Sequence, residues 1–420
     1  MSIASLALLH PSGVVRRTLV LGQADPGGEA DLIVADSYSN DVPDILQARL
    51  AHDGIAYLRM AWSARRRVSR EAGLVLGPSL LRIGASSGPR FLVPTDRATV
   101  RWAVSHLSTS RRARAALLVP GLPDALAAAA IARRPGAPPI AAWLDQANAQ
   151  LVLGRTAALV VRDGALAAVA KASTHASAER GALETLGPAA RAAGAAVPYP
   201  VRQVSPDTAV LVQTGLSGRA ASIALARDAR RLPALLDAVT SWLGRWNTAT
   251  AADGTLTPDL LERELLSPAR RAGIPTGYAD WLTERCARAE GTPIKLVAVH
   301  NDLTTANILV DGDAPLGIVD WEAAEPSGLP LKDLLYFLAD ARAASEGFRD
   351  SLHAFLSTVG DRDYEERLVA ELGLSSPVSD LCFHSCWLGH AANEASRGGN
   401  DRRFREIIKT IARQRLRMDA

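Results

Sequence analysis

Apolar runs broken by turn-forming residues organise this chain of 420 residues. DLIVADSY (31–38) and GIAYLRM (54–60) are short, nearly continuous apolar runs, the pattern of strands buried on both faces, and ILQARLAHD between them has helical spacing. A strand–helix–strand succession implies a parallel α/β layer. REAGLVLGPSLLRIG and RFLVPTD continue it with a helix end and further strands. VPGLPDALAAAAIARRPGAPPI (119–140) then has the composition of a linker carrying a short helix, so a first domain is expected over 1–118 and a second from near Ala141.

From there the pattern changes. QLVLGRTAALVVRDGALAAVAKAS (150–173) reads as two or three β runs, with Asp163-Gly164 as a hairpin turn. SAERGALETLGPAARAAG is a helix ended by Gly194, and TAVLVQTGLSG is a strand and connector. Beyond residue 222 the chain is mostly helical until TPIKLVAVH (292–300) returns to strand. A small β-rich lobe (141–215) followed by a large helical lobe (216–420) is the expected arrangement.

Composition narrows the classes. Hydrophobic residues at 48% and charged residues at 22% exclude a disordered or collagen-like chain. Three cysteines cannot make a disulfide framework and fit a reducing compartment. Cys382 and Cys386 fall four residues apart on an apolar helical face, so they are expected as core thiols despite nearby His384 and His390. The apolar start MSIASLALL lacks a basic leader, and Pro120, Pro123 and Asp124 break the most apolar later stretch, so a cytoplasmic protein without a membrane span is expected. Net charge is +3, too small to point to nucleic acid, but residues 1–140 hold 17 Arg against 10 Asp and Glu. Eleven arginines lie between 65 and 114, among them Arg65, Arg66, Arg67, Arg111, Arg112 and Arg114; an acidic partner could use such a surface, or the arginines could be solvated helix faces. Only four of the 47 basic residues are lysines, Lys171, Lys295, Lys332 and Lys409, which makes each worth questioning; the last three are expected as solvated charges.

The stretch VAVHNDLTTANILVDGDAPLGIVDWEAAEPSGLPLKDLLYFL (297–338) alternates short strands with turns, one of them at Asp311-Gly312-Asp313, and places His300, Asp302, Asn307 and Asp320 at strand ends. Loops there can hold polar side chains over a cleft while strands fix the backbone. Phosphoryl transfer accounts for these residue types: it requires an acceptor hydroxyl aligned with the γ-phosphate and cations to neutralise its oxygens. Asp302 suits the orienting base, and the hard oxygens of Asn307 and Asp320 suit Mg²⁺.

H-N-D-L-T-T-A-N followed by I-V-D-W-E resembles the catalytic and metal-binding segments of the aminoglycoside phosphotransferase and choline kinase-like family, relatives of protein kinases. The resemblance implies Asp302 as catalytic base, Asn307 and Asp320 as magnesium ligands, and His300 as support of the loop. Trp321 and Glu322 favour the small-molecule branch, and Asp333 in GLPLKDLLYFL matches that branch's G-D-P-x-x-D-L aspartate. Asn301 replaces the family's usual glycine and Leu329 its usual aspartate.

The same resemblance assigns Lys171, in LAAVAKAS, to the nucleotide phosphates, with Glu179 of the next helix as its partner and Glu184 as the alternative. The backbone near Gly154 to Ala157 is expected over the phosphates, and groups around Gln213 to Gly215 against adenine. The implied fold is α+β: a bilobal kinase-like domain after a small α/β, Rossmann-like domain. That first domain is faintly similar to part of a methyltransferase, but GQADPGGEAD is a poor cofactor loop, and a docking role is preferred over a working cofactor site. The expected activity is ATP- and Mg²⁺-dependent phosphorylation of a hydroxyl on an amino sugar, sugar or amino alcohol; a pseudokinase scaffold, or a methyltransferase-related protein with an accessory kinase-like domain, are the alternatives.

Overall fold

The strand runs of the first half build one continuous sheet. In the computed structural model, which describes residues 3–12, 15–24, 27–84, 90–107, 127–138, 141–142, 149–155, 157–205, 208–312, 316–347, 351–357, 362–396 and 403–418, the sheet has eleven strands. They are β1 Thr18–Val20, β2 Ala30–Ala35, β3 Leu50–Leu58, β4 Val75–Gly84, β5 Arg90–Pro94, β6 Ala129–Arg133, β7 Gln150–Leu153, β8 Ala157–Arg162, β9 Ala165–Ala172, β10 Pro200–Ser205 and β11 Thr208–Thr214. Their spatial order is β1-β2-β3-β6-β4-β5-β7-β8-β9-β11-β10.

Parallel pairing is confined to β1, β2 and β3, with the helix Val42–Arg49 as the crossover between the last two. All later pairs are antiparallel, which departs from the Rossmann-like layer expected for the first part. The segment expected as a linker contains β6, seated between β3 and β4. Its alanines read as helix or linker by composition, yet Ala129, Ala130, Ile131 and Ala132 are buried, and hydrogen bonding on both edges fixes the extended form. The first half is also not walled off from the β-rich lobe. Leu6, Leu8 and Leu9 share one core with Ile55 and Ile131 and with Leu153, Val160, Ala170 and Val212 of β7 to β11. The hairpin at Asp163-Gly164 is present, with φ of 52° and 77°, as a two-residue turn of inverted type requires.

The arginines counted as a surface are partly structural. Arg65 is 1% exposed and donates to the Ala127 carbonyl at 3.0 Å, and Arg66 and Arg67 lie over the rings of Trp62 and Tyr38. Arg111, Arg112 and Arg114 lie outside the described residues, as do Asp25 and Pro26 of the glycine-rich loop, residues 119–126 and 139–140 of the expected linker, and Asp313 of the turn.

Two compact units divide the chain: Met1–Ser177 with Pro198–Ser217, which holds the sheet, and Ala178–Val197 with Gly218–Ala420. The second unit is helical. Its long helices Leu232–Thr250, Lys332–Ser345 and Ser376–Ser396 bury Trp242, Trp246 and Trp387. Two three-stranded sheets complete it: β12 Arg219–Ala220 with β15 Ile308–Val310 and β16 Gly317–Ile318, and β13 Ala252–Thr255 with β14 Pro293–Val299 and β17 Glu325–Gly328. Cys382 and Cys386 are buried core thiols, as expected. Lys332, expected as a solvated charge, instead pairs with buried Glu264 at 3.0 Å, because Glu262–Leu266 widens into a π turn that faces it. No described helix is long and apolar enough to cross a membrane.

Candidate functional site

The loop between β14 and β15 is held by carboxylates from a distant helix. Asp333, at the start of Lys332–Ser345, accepts the backbone N–H of His300 at 2.7 Å and of Asn301 at 2.8 Å. Seven residues on, on the same helical face, Asp340 accepts the Thr305 N–H at 2.6 Å and its hydroxyl at 2.5 Å. The two acids clamp the loop at both ends, and Tyr336 lies between them on that face. Burial pushes the carboxyls of Asp333 and Asp340 above the usual range. For Asp333 the nearby His300 and its two backbone donors oppose that rise; for Asp340 the two Thr305 bonds do.

Asn301 has φ of 63°, a left-handed value that favours glycine and, after it, asparagine. The departure from the family's glycine is thus chemically mild, and the side chain adds a bond from Nδ2 to the Ala323 carbonyl at 2.9 Å. Leu329, where the family has aspartate, is fully buried in the core.

His300 is fully buried, bonds through Nε2 to the Val319 carbonyl at 3.1 Å and meets the Trp321 ring edge-on at 5.0 Å. It ties the loop to the strand that leads to Asp320. Asn307 closes the turn: Nδ2 donates to the Asp302 carbonyl at 2.9 Å and to Asp302 Oδ2 at 3.0 Å. The amide therefore orients the carboxylate, and its Oδ1 is the atom of Asn307 suited to a cation.

Asp320 sits at φ 70°, ψ 60°, ahead of a short turn, Trp321–Ala323. Carboxylate oxygens of Asp320, Glu322 and Glu179 all lie within 4.8 Å of one another, and Glu179 is fully buried. Glu184 points outward and pairs with Arg180 at 2.8 Å. Of the two glutamates weighed from the sequence, only Glu179 therefore stands among the site carboxylates. Three hard oxygen donors, Asn307 Oδ1, Asp320 and Glu322, fit Mg²⁺ in kind.

The remaining sequence-derived residues belong to the first unit. Lys171 is half-buried on β9, in register with Leu211 of β11 and Ala157 of β8. Gly154 opens the β7–β8 turn, its N–H bonded to the Ala157 carbonyl at 2.7 Å, and a Cβ there would press on Phe91 at 3.3 Å. Gly215 is required because a Cβ would come within 2.5 Å of the Leu166 carbonyl. Gln213 is buried on β11 opposite Val169. Thr156, inside the expected phosphate loop, is outside the described residues.

Asp340, Tyr336 and Glu322 were not singled out as site residues. Asp340 had a signal, its seven-residue spacing from Asp333; the approach of Glu322 to Glu179 had none.

The profile of the phosphotransferase enzyme family matches residues 109–368. A search of the curated proteins finds no match. Among solved structures, similarity extends to an aminoglycoside phosphotransferase of Streptomyces rimosus in complex with ADP and streptomycin, at 19% identity over 59% of this chain and 95% of that one, with a TM-score of 0.36. A macrolide 2'-phosphotransferase of Brachybacterium faecium shows 18% identity, coverage of 60% and 86%, and a TM-score of 0.34. A glucosamine kinase shows 16% identity, coverage of 77% and 88%, and a TM-score of 0.34.

Proposed function

The chain belongs to the phosphotransferase enzyme family, and from that premise we propose that it transfers the γ-phosphate of ATP, with Mg²⁺, to a hydroxyl of a small molecule of amino sugar, sugar or amino alcohol type. The observation that carries the reading is the clamped loop, in which Asn307 holds the Asp302 carboxylate and Asp333 and Asp340 hold the backbone on either side.

In this reading Asp302 receives the acceptor hydroxyl, aligns it with the phosphorus and takes its proton as the new O–P bond forms. Pre-orientation by Asn307 removes the need to order that carboxylate during the reaction. Asn307 and Asp320 would hold Mg²⁺, which when bound neutralises phosphate oxygens. Tyr336 flanks the loop that carries the base, and the charge of Asp302 is among the causes that raise its phenol, after burial. Lys171 is assigned to the nucleotide phosphates, where a flexible ammonium serves and a planar guanidinium fits differently.

Calorimetry with MgATP on the full chain tests the reading. Binding is expected to require Mg²⁺ and to be lost in Asp320→Ala; magnesium-independent binding, or none, overturns it. Slow release of phosphate to water, abolished in Asp302→Ala, separates an enzyme from a scaffold. Lys171→Arg is expected to keep the melting temperature and lose most turnover, and near-normal turnover would show that the lysine is incidental. Screening hydroxylated amines and sugars for ATP consumption then identifies the acceptor class.

A further inference from the structure

The first unit carries a second constellation, far in sequence from the phosphotransfer loop. One ring nitrogen of His10 and one carboxylate oxygen each of Asp31 and Asp53 lie within 4.8 Å of one another. Each residue reaches that point for a local reason. His10 follows the helix Ile3–Ala7, whose neighbours Leu8 and Leu9 are buried in the sheet's core, and the Leu9 carbonyl accepts the Ala141 N–H at 2.9 Å. Asp31 lies on β2, and its Oδ2 accepts the backbone N–H groups of Arg16 at 2.8 Å and Arg17 at 3.0 Å. Asp53 projects from an irregularity in β3: between the pairs Ala30↔Leu50 and Leu32↔Ile55 the β3 side carries extra residues. Such bulges re-aim side chains. Gly54 permits this one, since a Cβ there would stand 3.0 Å from the Ala30 carbonyl oxygen.

The histidine supplies the decisive observation. It is 3% exposed, its Nδ1 lies 2.8 Å from the Ser12 hydroxyl and accepts the Ser12 backbone N–H at 3.3 Å, and its Nε2 is buried with no hydrogen-bond partner. A buried polar nitrogen without a partner is costly unless something unseen satisfies it. We propose that His10 Nε2, Asp31 and Asp53 form a binding site for a divalent transition-metal ion of the zinc class, which ties the amino-terminal segment to β2 and β3.

The chemistry selects that class. Mg²⁺ and Ca²⁺ take oxygen ligands, whereas one imidazole with two carboxylates is a donor set for Zn²⁺, leaving a position for water. Two carboxylates and a neutral imidazole balance the ion's charge. Tetrahedral zinc bonds of about 2.0–2.2 Å place ligand atoms roughly 3.4 Å apart, so a small inward movement completes the site. Asp53 can make it, being exposed; Asp31 is already fixed by its two backbone donors. With Nε2 on the metal, Nδ1 would carry the proton and donate to the Ser12 hydroxyl, in place of the 3.3 Å bond that it here accepts from the Ser12 backbone N–H.

The test is Zn²⁺ titration calorimetry on the full chain after chelator treatment and dialysis, in buffer saturated with Mg²⁺, with thermal melting alongside. Expected are one Zn²⁺ per chain, a melting midpoint that rises by a few degrees with Zn²⁺ and not with Mg²⁺, loss of both effects in His10→Ala, and binding weakened at least about tenfold in Asp53→Asn. Both effects are expected to persist in Asp320→Ala, which separates this site from the phosphotransfer site. Should His10→Ala fail to fold, Asp53→Asn, altered only at an exposed carboxylate, decides. The proposal is overturned by no Zn²⁺ binding, by binding unchanged in Asp53→Asn, by Mg²⁺ serving equally well, or by stability that follows histidine protonation in metal-free protein without any Zn²⁺ uptake.

Discussion

The two units bury different things. The sheet unit fills its interior mainly with Ala, Val, Leu and Ile, with His10, Arg65 and Gln213 among its buried polar exceptions, and its extended order comes from apolar side chains on two faces and hydrogen bonds along strand edges. The helical unit buries charge and polarity beside its tryptophans: Asp333, His300, Thr305, Glu179, Glu264 and His384 are all nearly inaccessible. Buried polar groups are tolerated only when their partners are in place, so such a unit positions specific atoms where an apolar core fixes only shape. Conformational precision in the loop from His300 to Asn307 is therefore derived from hydrogen-bonded acids of the same unit.

The largest test of this contrast is Asp302→Ala. It is expected to lower phosphotransfer turnover by about 10²–10⁴-fold while leaving the thermal melt in place, since the role proposed for Asp302 is that of a reacting group rather than a clamp; loss of the fold would show that Asp302 is structural.

Asp333→Ala should instead damage both. It strands two backbone N–H groups and is expected to lower stability by roughly 3–5 kcal/mol in denaturant unfolding, with turnover falling too; an unchanged melt would mean that the loop holds itself.

In the sheet unit Ile131→Ala on β6 is expected to lower stability by about 2–4 kcal/mol by opening a cavity. Kinetic constants of the surviving folded protein should stay near wild type, and a selective loss of turnover would break the contrast between the two units.

Acid probes the buried polarity directly. His384, bonded to the Tyr278 hydroxyl at 2.6 Å, is held neutral down to about 3, by burial first and then by Arg415 and Arg285. An unfolded histidine titrates near 6.5, so between these values the unfolded state binds the extra proton and stability falls as pH falls. The loss should reach about 2 kcal/mol by pH 5 in chemical denaturation and be flatter in His384→Gln; an equally steep profile in that variant would assign the effect elsewhere.

The smallest effect is expected from Glu184→Gln. Its exposed pair with Arg180 should contribute well under about 1 kcal/mol, and neither the melt nor turnover should move. A large loss of activity would reverse the choice of Glu179 over Glu184.

Much of the site was legible because its spacing is local. Asp302 and Asn307 meet across a single turn, and His300 precedes Asp302 by two residues. The hairpin at Asp163-Gly164 was legible for the same reason: two residues with positive φ need no neighbour to explain them. β6 was not, because alanine carries no strong strand preference and only two flanking strands make it extended. Lys332 read as a solvated charge because Glu264, 68 positions away in sequence, offers no local signal.

The sequence by itself determined the family and the period of most elements, since those depend on residue type and on neighbours a few positions away. The tertiary structure decided that the first 140 residues join the β-rich lobe in one sheet, that Asp340 clamps the loop, that Glu179 rather than Glu184 stands with Asp320, and that His10 meets Asp31 and Asp53. Each of these is a contact between residues far apart in the chain, made only when hydrophobic burial brings the elements together; no pattern of nearby positions encodes it.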